Sequence, residues 1–315
     1  MKKDIAIRNK RFLIKQLSNT EDDPFTLYLN SLAPSGRRSM KSQLIGILRL
    51  MGYLDDPTCF PWANLKYVHI VKIRNLLLEQ GKSANTINTT IAAINGVMRT
   101  GFNIGLLSAD EYMRIKLIKR VNSHKLPVGR ELKRSELKRM LACCKRDNDA
   151  LGIRDAAIIG LMVSTGLRRS EVASLNIEDY SVKDGSLIVQ QGKGNRQRMT
   201  FITPHAKKLM LKWMKLRAVA TGILFSRVVS CVPTDNKLSG QSIYNIIKAR
   251  SEQAGIERCS PHDLRRTLVT RLLDTGIDIN TVRQIVGHQD VNTTARYDRR
   301  NEQINSTVIR KLDIL

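Results

Sequence analysis

The chain has 315 residues, 53 of them Lys or Arg and 28 Asp or Glu, for a net charge of +25, and 42% are hydrophobic. That apolar content excludes a disordered chain, the length fits two domains, and no apolar run approaches the ~20 residues that span a bilayer. Five cysteines (Cys59, Cys143, Cys144, Cys231, Cys259) without a CxxC pair argue against a disulfide framework or a zinc finger, and an isoelectric point of about 10.2 leaves a polyanion, most commonly nucleic acid, as the partner.

Residues 1–20, beginning MKKDIAIRNKRFLIK, carry basic residues but no apolar stretch ahead of a small-residue cleavage site, and read as an extension rather than a secretory leader. Apolar residues at helical spacing then predict helices around 22–32, 36–53, 65–80 and 84–104. Leu44, Ile45, Leu48, Leu50 and Met51 mark the second of these. In the fourth, Ser/Asn/Thr capping chemistry precedes Ile87, Ile91, Ile94 and Met98 on one face. Four helices with short connections make an all-α domain over 21–120.

The segment RVNSHKLPVGRELKR holds Pro127 and Gly129 between polar flanks, and reads as a linker over 121–132. After it, ELKRMLACC and IRDAAIIGLMVSTG read as packed helices. GSLIVQQGKGNRQRMTFI switches to strand-forming runs around Gly-Lys-Gly-Asn, which is hairpin chemistry, and from residue 240 the pattern is helical again. The expected fold class is therefore mainly α with a small antiparallel sheet: an α+β domain over 133–300, preceded by the all-α domain. A tail, 301–315, follows.

Residues 1–124 hold 19 Lys and Arg against 9 Asp and Glu, so the charge of +25 divides into +10 there and +15 in the remainder. Two basic folded halves, rather than one basic tail, suggest a polyanion gripped from two sides.

Four segments of the second half concentrate reactive residue types. In TGLRRSEVASL, Gly166 ends one helix, Arg168 stands at the junction and Glu171 can cap or orient it. The hairpin tip carries Lys193. SPHDLRRT places His262 and Arg265 three residues apart, on one face of a helical turn. VGHQDVNTTARYDR carries His288 and then Tyr297. Singly, each has an ordinary reading: a helix cap beside a surface arginine, a turn lysine, an N-terminal histidine, a packing tyrosine. Together they are the residue types that can act on a phosphodiester without metal.

That reaction asks an enzyme for ~20 kcal/mol or more. Arginine forks bind the non-bridging oxygens bidentately and stay charged at any working pH. A tyrosine phenol can serve as nucleophile, a lysine on a hairpin can protonate the leaving 5′ oxygen, and histidines can accept the phenolic proton or hydrogen-bond the phosphate.

The order Arg, Lys, HxxR, His, Tyr in the contexts TGLRRSE, GKGNR, HDLRR and VGHQD resembles the tyrosine recombinase (phage integrase) family, nearest its short Xer-like members. The match is strong over about residues 125–300. SANTINTTIAAINGVMRTGFNIGLL resembles more faintly the last helices of the family's core-binding domain. The resemblance implies that Tyr297 attacks the scissile phosphate to form a 3′-phosphotyrosyl link. It implies that Arg168 and Arg265 clamp the non-bridging oxygens and that Lys193 is the general acid. His262 would exchange the nucleophile's proton, His288 would hydrogen-bond the phosphate, and Glu171 is a supporting acid. Arg266 departs from the family pattern, standing where many members have a second histidine, as does Leu268, where an aromatic residue is common.

By the same resemblance the partner is double-stranded DNA, held by a homotetramer on paired sites or by this chain with a paralogous recombinase. Strands exchange through a Holliday junction to integrate, excise or resolve DNA, in the cytoplasm at the nucleoid and not at a membrane. Arg37, Arg38, Lys41 and Lys82 are candidate phosphate contacts of the first domain. Transesterification conserves bond energy, so no cofactor or metal is implied. The one Gly-Lys-Ser, Gly81–Lys82–Ser83, has Leu76 where a phosphate-binding loop requires glycine. Some twenty N-terminal residues are too few for the arm-binding domain of larger integrases, and the amphipathic STVIRKLDIL of the tail is expected to pack on a neighbouring protomer. Two alternatives stay open: DNA relaxation of the type IB topoisomerase kind, and a non-enzymatic DNA-binding regulator.

Overall fold

The computed structural model describes residues 23–122, 129–190 and 197–287, together with Thr294. The chain divides into two compact units, Met1–Lys125 and Leu126–Leu315.

Among the described residues the first unit is all helical: α1 (Pro24–Asn30), α2 (Pro34–Leu50), α3 (Tyr67–Glu79), α4 (Ala84–Asn103) and α5 (Ala109–Lys116), with a 3-10 turn at Trp62–Asn64. Side chains set these limits. Asp23 accepts the N–H groups of Phe25 and Thr26 to open α1, and Ser83 accepts that of Thr86 to open α4. The predicted apolar face of α4 is buried, with Ile87, Ile91, Ile94 and Met98 packed against Leu44, Ile47 and Leu48 of α2 and Ile70 and Ile73 of α3. A Cβ on Gly96 would stand 2.2 Å from the Tyr28 ring, so α1 lies directly on the backbone of α4.

The sequence predicts four helices here, and the described residues hold five. The additional one, α5, is eight residues long and buries only Ile115 fully, too short a stripe to register as a period. Asn88 exchanges two hydrogen bonds with the backbone of Val121, each 2.9 Å, and ties the end of the unit to α4.

The second unit is built around α7 (Ala150–Thr165), a helix apolar on nearly all sides. Packed against it are α6 (Arg134–Asp147), α9 (Pro204–Arg217), α10 (Gly240–Gln253) and α11 (Pro261–Asp274). Two short helices, α8 (Arg169–Ser174) and α12 (Ile279–Val286), are also present. Ile158, Ile159, Leu161 and Met162 of α7 are wholly buried with Met140, Trp213 and Phe225. An ionic network joins three helices: buried Arg250 of α10 pairs with buried Asp155 of α7 at 2.8 Å and with Asp147 at the end of α6.

The predicted hairpin is present as β1 (Ser186–Val189) and β2 (Arg198–Phe201), antiparallel, with Val189 opposite Arg198. A second hairpin, β3 (Ser226–Val229) and β4 (Val232–Lys237), was not predicted. Its turn residues, Ser230 and Cys231, both have positive φ, at 48° and 62°, and neither is the Asn or Gly by which such turns are usually read. The fold class is as expected, mainly α with small antiparallel sheets.

Residues 129–132 lie along α11. Leu132 is fully buried, its N–H bonds to the Thr267 hydroxyl at 2.9 Å, and its carbonyl accepts from Arg271 at 2.7 Å. The tail 301–315 and the extension 1–20 lie outside the described residues. Among the described residues no helix is long and apolar enough to cross a membrane.

Candidate active site

Two helix N-termini form the site. The first follows Gly166, which closes α7 in the left-handed conformation at φ +61° and donates to the Met162 carbonyl at 2.9 Å. A Cβ there would meet Leu268 at 3.1 Å and Val286 at 3.4 Å, so the absence of a side chain lets α11 and α12 close on the turn. Arg168 is the N-cap of α8. Glu171 of the first turn accepts the Arg168 N–H at 2.8 Å and its Nη1 at 2.9 Å, as the spacing predicts.

Glu171 is only 3% exposed and carries a second guanidinium. Arg198 binds both carboxylate oxygens, Nη1 at 3.1 Å and Nη2 at 2.9 Å. Burial alone would raise the Glu171 carboxyl. The hydrogen bonds from Arg198 and from the Arg168 N–H, with the two positive charges, hold it below its ordinary value. Arg168 Nη2 also donates to the Gly287 carbonyl at 3.1 Å.

The second N-terminus opens α11. Ser260 and Asp263 form a capping box, Pro261 occupies the first turn, and His262 and Arg265 project from the same face. Arg265 is 4% exposed and donates from Nη1 to the Gly166 carbonyl at 2.6 Å. His262 is exposed on its solvent side, between buried Pro261 and Asp263. Burial first, and then the Arg265 charge, push it below the ordinary histidine value, so the imidazole is neutral near pH 7.

Arg168, His262 and Arg265 line one cleft of about 460 Å³, with Leu167, Arg169, Ser170, Tyr244, Ser260 and Pro261. Of the residues singled out in the sequence, the structure thus gathers three in the cleft and sets Glu171 behind them. Lys193, His288 and Tyr297 lie outside the described residues. Arg266 is buried and turned away, donating to the Gly129 carbonyl at 2.8 Å, and Leu268 packs with the Val269, Leu273, Val282 and Val286 cluster.

In the first unit, Arg38, Lys41 and Lys82 are exposed, and Arg37 donates to the carbonyls of Leu29 at 2.8 Å and Asn30 at 3.2 Å, closing the end of α1. Sequence reading missed Arg198, a strand residue among several basic ones, and the pair Arg169–Tyr244, where the guanidinium stands 5.7 Å over the ring.

The sequence model of the Phage integrase family matches residues 130–303, which contain every element of this cleft. The chain belongs to the phage integrase family, the tyrosine recombinases. Tyrosine recombinase XerA of Pyrococcus furiosus is 31% identical over 223 residues, covering 71% of this chain and 72% of XerA. Among solved structures, XerH site-specific recombinase bound to palindromic difH substrate aligns with a TM-score of 0.65 at 21% identity, covering 88% of this chain and 80% of that one. A lambda integrase tetramer bound to a Holliday junction aligns at 0.65 and 15% identity, covering 92% and 81%. The structural likenesses show the fold, and family membership makes the chain an enzyme of site-specific DNA recombination.

Proposed function

We propose that this tyrosine recombinase cleaves and rejoins DNA through a covalent link between Tyr297 and a 3′ phosphate, and exchanges strands between two sites through a Holliday junction. The observation that carries this reading is the convergence of Arg168, His262 and Arg265 on one cleft with a buried carboxylate behind Arg168. Two guanidinia lining one cleft match the two non-bridging oxygens of a single phosphodiester. Each such donor stabilises a developing anion by ~3–4 kcal/mol, judged from oxyanion-hole deletions.

In the cleavage step the Tyr297 oxygen forms a bond to phosphorus as the bond from phosphorus to the 5′ oxygen breaks. The phenolic proton passes to His262, whose neutral imidazole can accept it. Lys193 supplies a proton to the departing 5′ oxygen, and His288 hydrogen-bonds the phosphate. Attack by a 5′ hydroxyl of the other site reverses these bond changes, so the sum of cleavage and rejoining consumes no external energy source.

In this reading residues 21–120 are the core-binding domain and 133–300 the catalytic domain, joined by 121–132. DNA is the partner, and four protomers hold two sites, as homotetramer or with a paralogous recombinase, at the nucleoid. Arg37, Arg38, Lys41 and Lys82 contact phosphates of the first half of the grip.

The test uses a duplex selected from a random pool by binding to the whole chain, then nicked near the site to trap the covalent product. Wild type should give a protein–DNA adduct that survives detergent, and Tyr297→Phe should bind the duplex and give none. A wild type that binds and forms no adduct would overturn the proposal and leave a DNA-binding regulator. Relaxation of a supercoiled plasmid lacking that sequence, without joining of sites, would point to a topoisomerase.

A further inference from the structure

Arg198 has no role in the proposed chemistry, yet it is tightly held beside the cleft. Its side chain is 16% exposed and both its terminal nitrogens lie on the two oxygens of Glu171. A Cβ on Gly287 would stand 2.8 Å from the Arg198 guanidinium carbon, so the fork lies flat against that backbone turn. The Gly287 carbonyl in turn accepts from Arg168. Glu171, Arg168, Gly287 and Arg198 therefore close a ring of contacts, with Arg198 opposite Val189 at the loop end of the β1–β2 ladder.

The charges explain why two guanidinia are needed. Glu171 is fully buried and carries one negative charge. If Arg168 were its sole partner, the pair would be neutral, and the carboxylate would compete with a phosphate for the same fork. Arg198 takes half of that carboxylate's hydrogen-bonding capacity and leaves the group with a net positive charge facing the cleft.

We propose that Arg198 is a positioning residue: by sharing Glu171 it holds Arg168 oriented and electrostatically free to bind the scissile phosphate. This rests on the role assigned to Arg168 above. Arg198 itself touches no reacting atom.

The experiment compares Arg198→Ala, Arg198→Lys, Arg168→Ala and the double variant Arg168→Ala/Arg198→Ala on the nicked duplex. Duplex affinity is measured beside the rate of adduct formation. Arg198→Ala should bind normally and form adduct about 10- to 100-fold more slowly, the range seen when an outer-shell partner of a functional ligand is removed. Arg198→Lys, which keeps the charge but loses the fork, should fall between the two. The double variant should be no slower than Arg168→Ala, because both act through one group.

A second substrate separates positioning from general loss of structure. Replacing one non-bridging oxygen by methyl removes the charge that Arg168 balances, so the penalties of Arg168→Ala and Arg198→Ala should both shrink on the methylphosphonate. An Arg198→Ala protein with wild-type rates on the ordinary duplex would overturn the inference, as would penalties that multiply in the double variant or persist undiminished on the methylphosphonate. Should Arg198→Ala fail to fold, Arg198→Lys carries the same comparison. Absence of adduct from wild type would instead refute the proposed function, so the two failures are told apart.

Discussion

The two walls of the cleft use the same local device and differ in what secures it. Each is the first turn of a helix whose acid accepts the N-cap N–H, Glu171 that of Arg168 on one side and Asp263 that of Ser260 on the other. In each the acid has a second duty. Glu171 also holds Arg198, and Asp263 also accepts the Arg130 N–H at 3.0 Å. The arginines differ more. Arg265 is buried and rests on a backbone carbonyl, a neutral partner, whereas Arg168 is about one-third exposed at 31% and rests on a carboxylate. The carboxylate beneath Arg168 must itself be balanced, and Arg198 does so from the β2 strand.

The largest expected effect removes either fork. Arg265→Ala and Arg168→Ala should each lower the rate of adduct formation about 100-fold or more, with little loss of duplex affinity. Most of the 53 cations remain to neutralise phosphates, so binding should keep its steep salt dependence. A variant whose affinity falls in step with its rate would show that the fork holds DNA rather than the reacting phosphate.

A smaller effect separates the two acids. Glu171→Ala strips a buried partner from two guanidinia and should destabilise the whole chain by about 3 kcal/mol, the lower end for a broken buried pair since Arg168 is partly solvated. It should also slow cleavage. Asp263→Ala loses a helix cap worth ~1 kcal/mol and one tie to residues 129–132, and should leave the chemistry nearly intact. Urea unfolding beside adduct rates tests both. Equal effects on cleavage would erase the distinction between the walls.

Much of this was legible in the sequence because it is local. Helices with long apolar stripes, such as α4, announce themselves by period. Arg168 with Glu171, and His262 with Arg265, lie within one helical turn of each other, so their shared orientation follows from spacing alone. What was hidden depends on contacts distant in the chain. Arg198 meets Glu171 across 27 residues and Arg168 meets the Gly287 carbonyl across 119, and no local pattern encodes either. The β3–β4 hairpin escaped for a different reason: its turn forces Ser230 and Cys231 into a conformation their side chains do not advertise.

The smallest effect concerns His262, and it sharpens the contrast by adding a titrating group to the Arg265 wall. Among the described residues, Arg265, Asp263 and Arg266 of its own helix and Arg168 from α8 act on it. Burial and the Arg265 charge lower its pKa, outweighing the opposite pull of Asp263, so the neutral form persists below the ordinary value of 6.5. A proton acceptor works only when unprotonated. Adduct formation should therefore stay level as pH falls from 8 toward 6.5 and decline only below it, and His262→Asn should slow the reaction while removing that decline. The Arg168 wall contributes no limb in this window, because Glu171 is held below its ordinary 4.5 and stays ionised throughout. A decline already complete at neutral pH would mean that His262 is not the acceptor. A decline shared by His262→Asn would place the titrating group elsewhere.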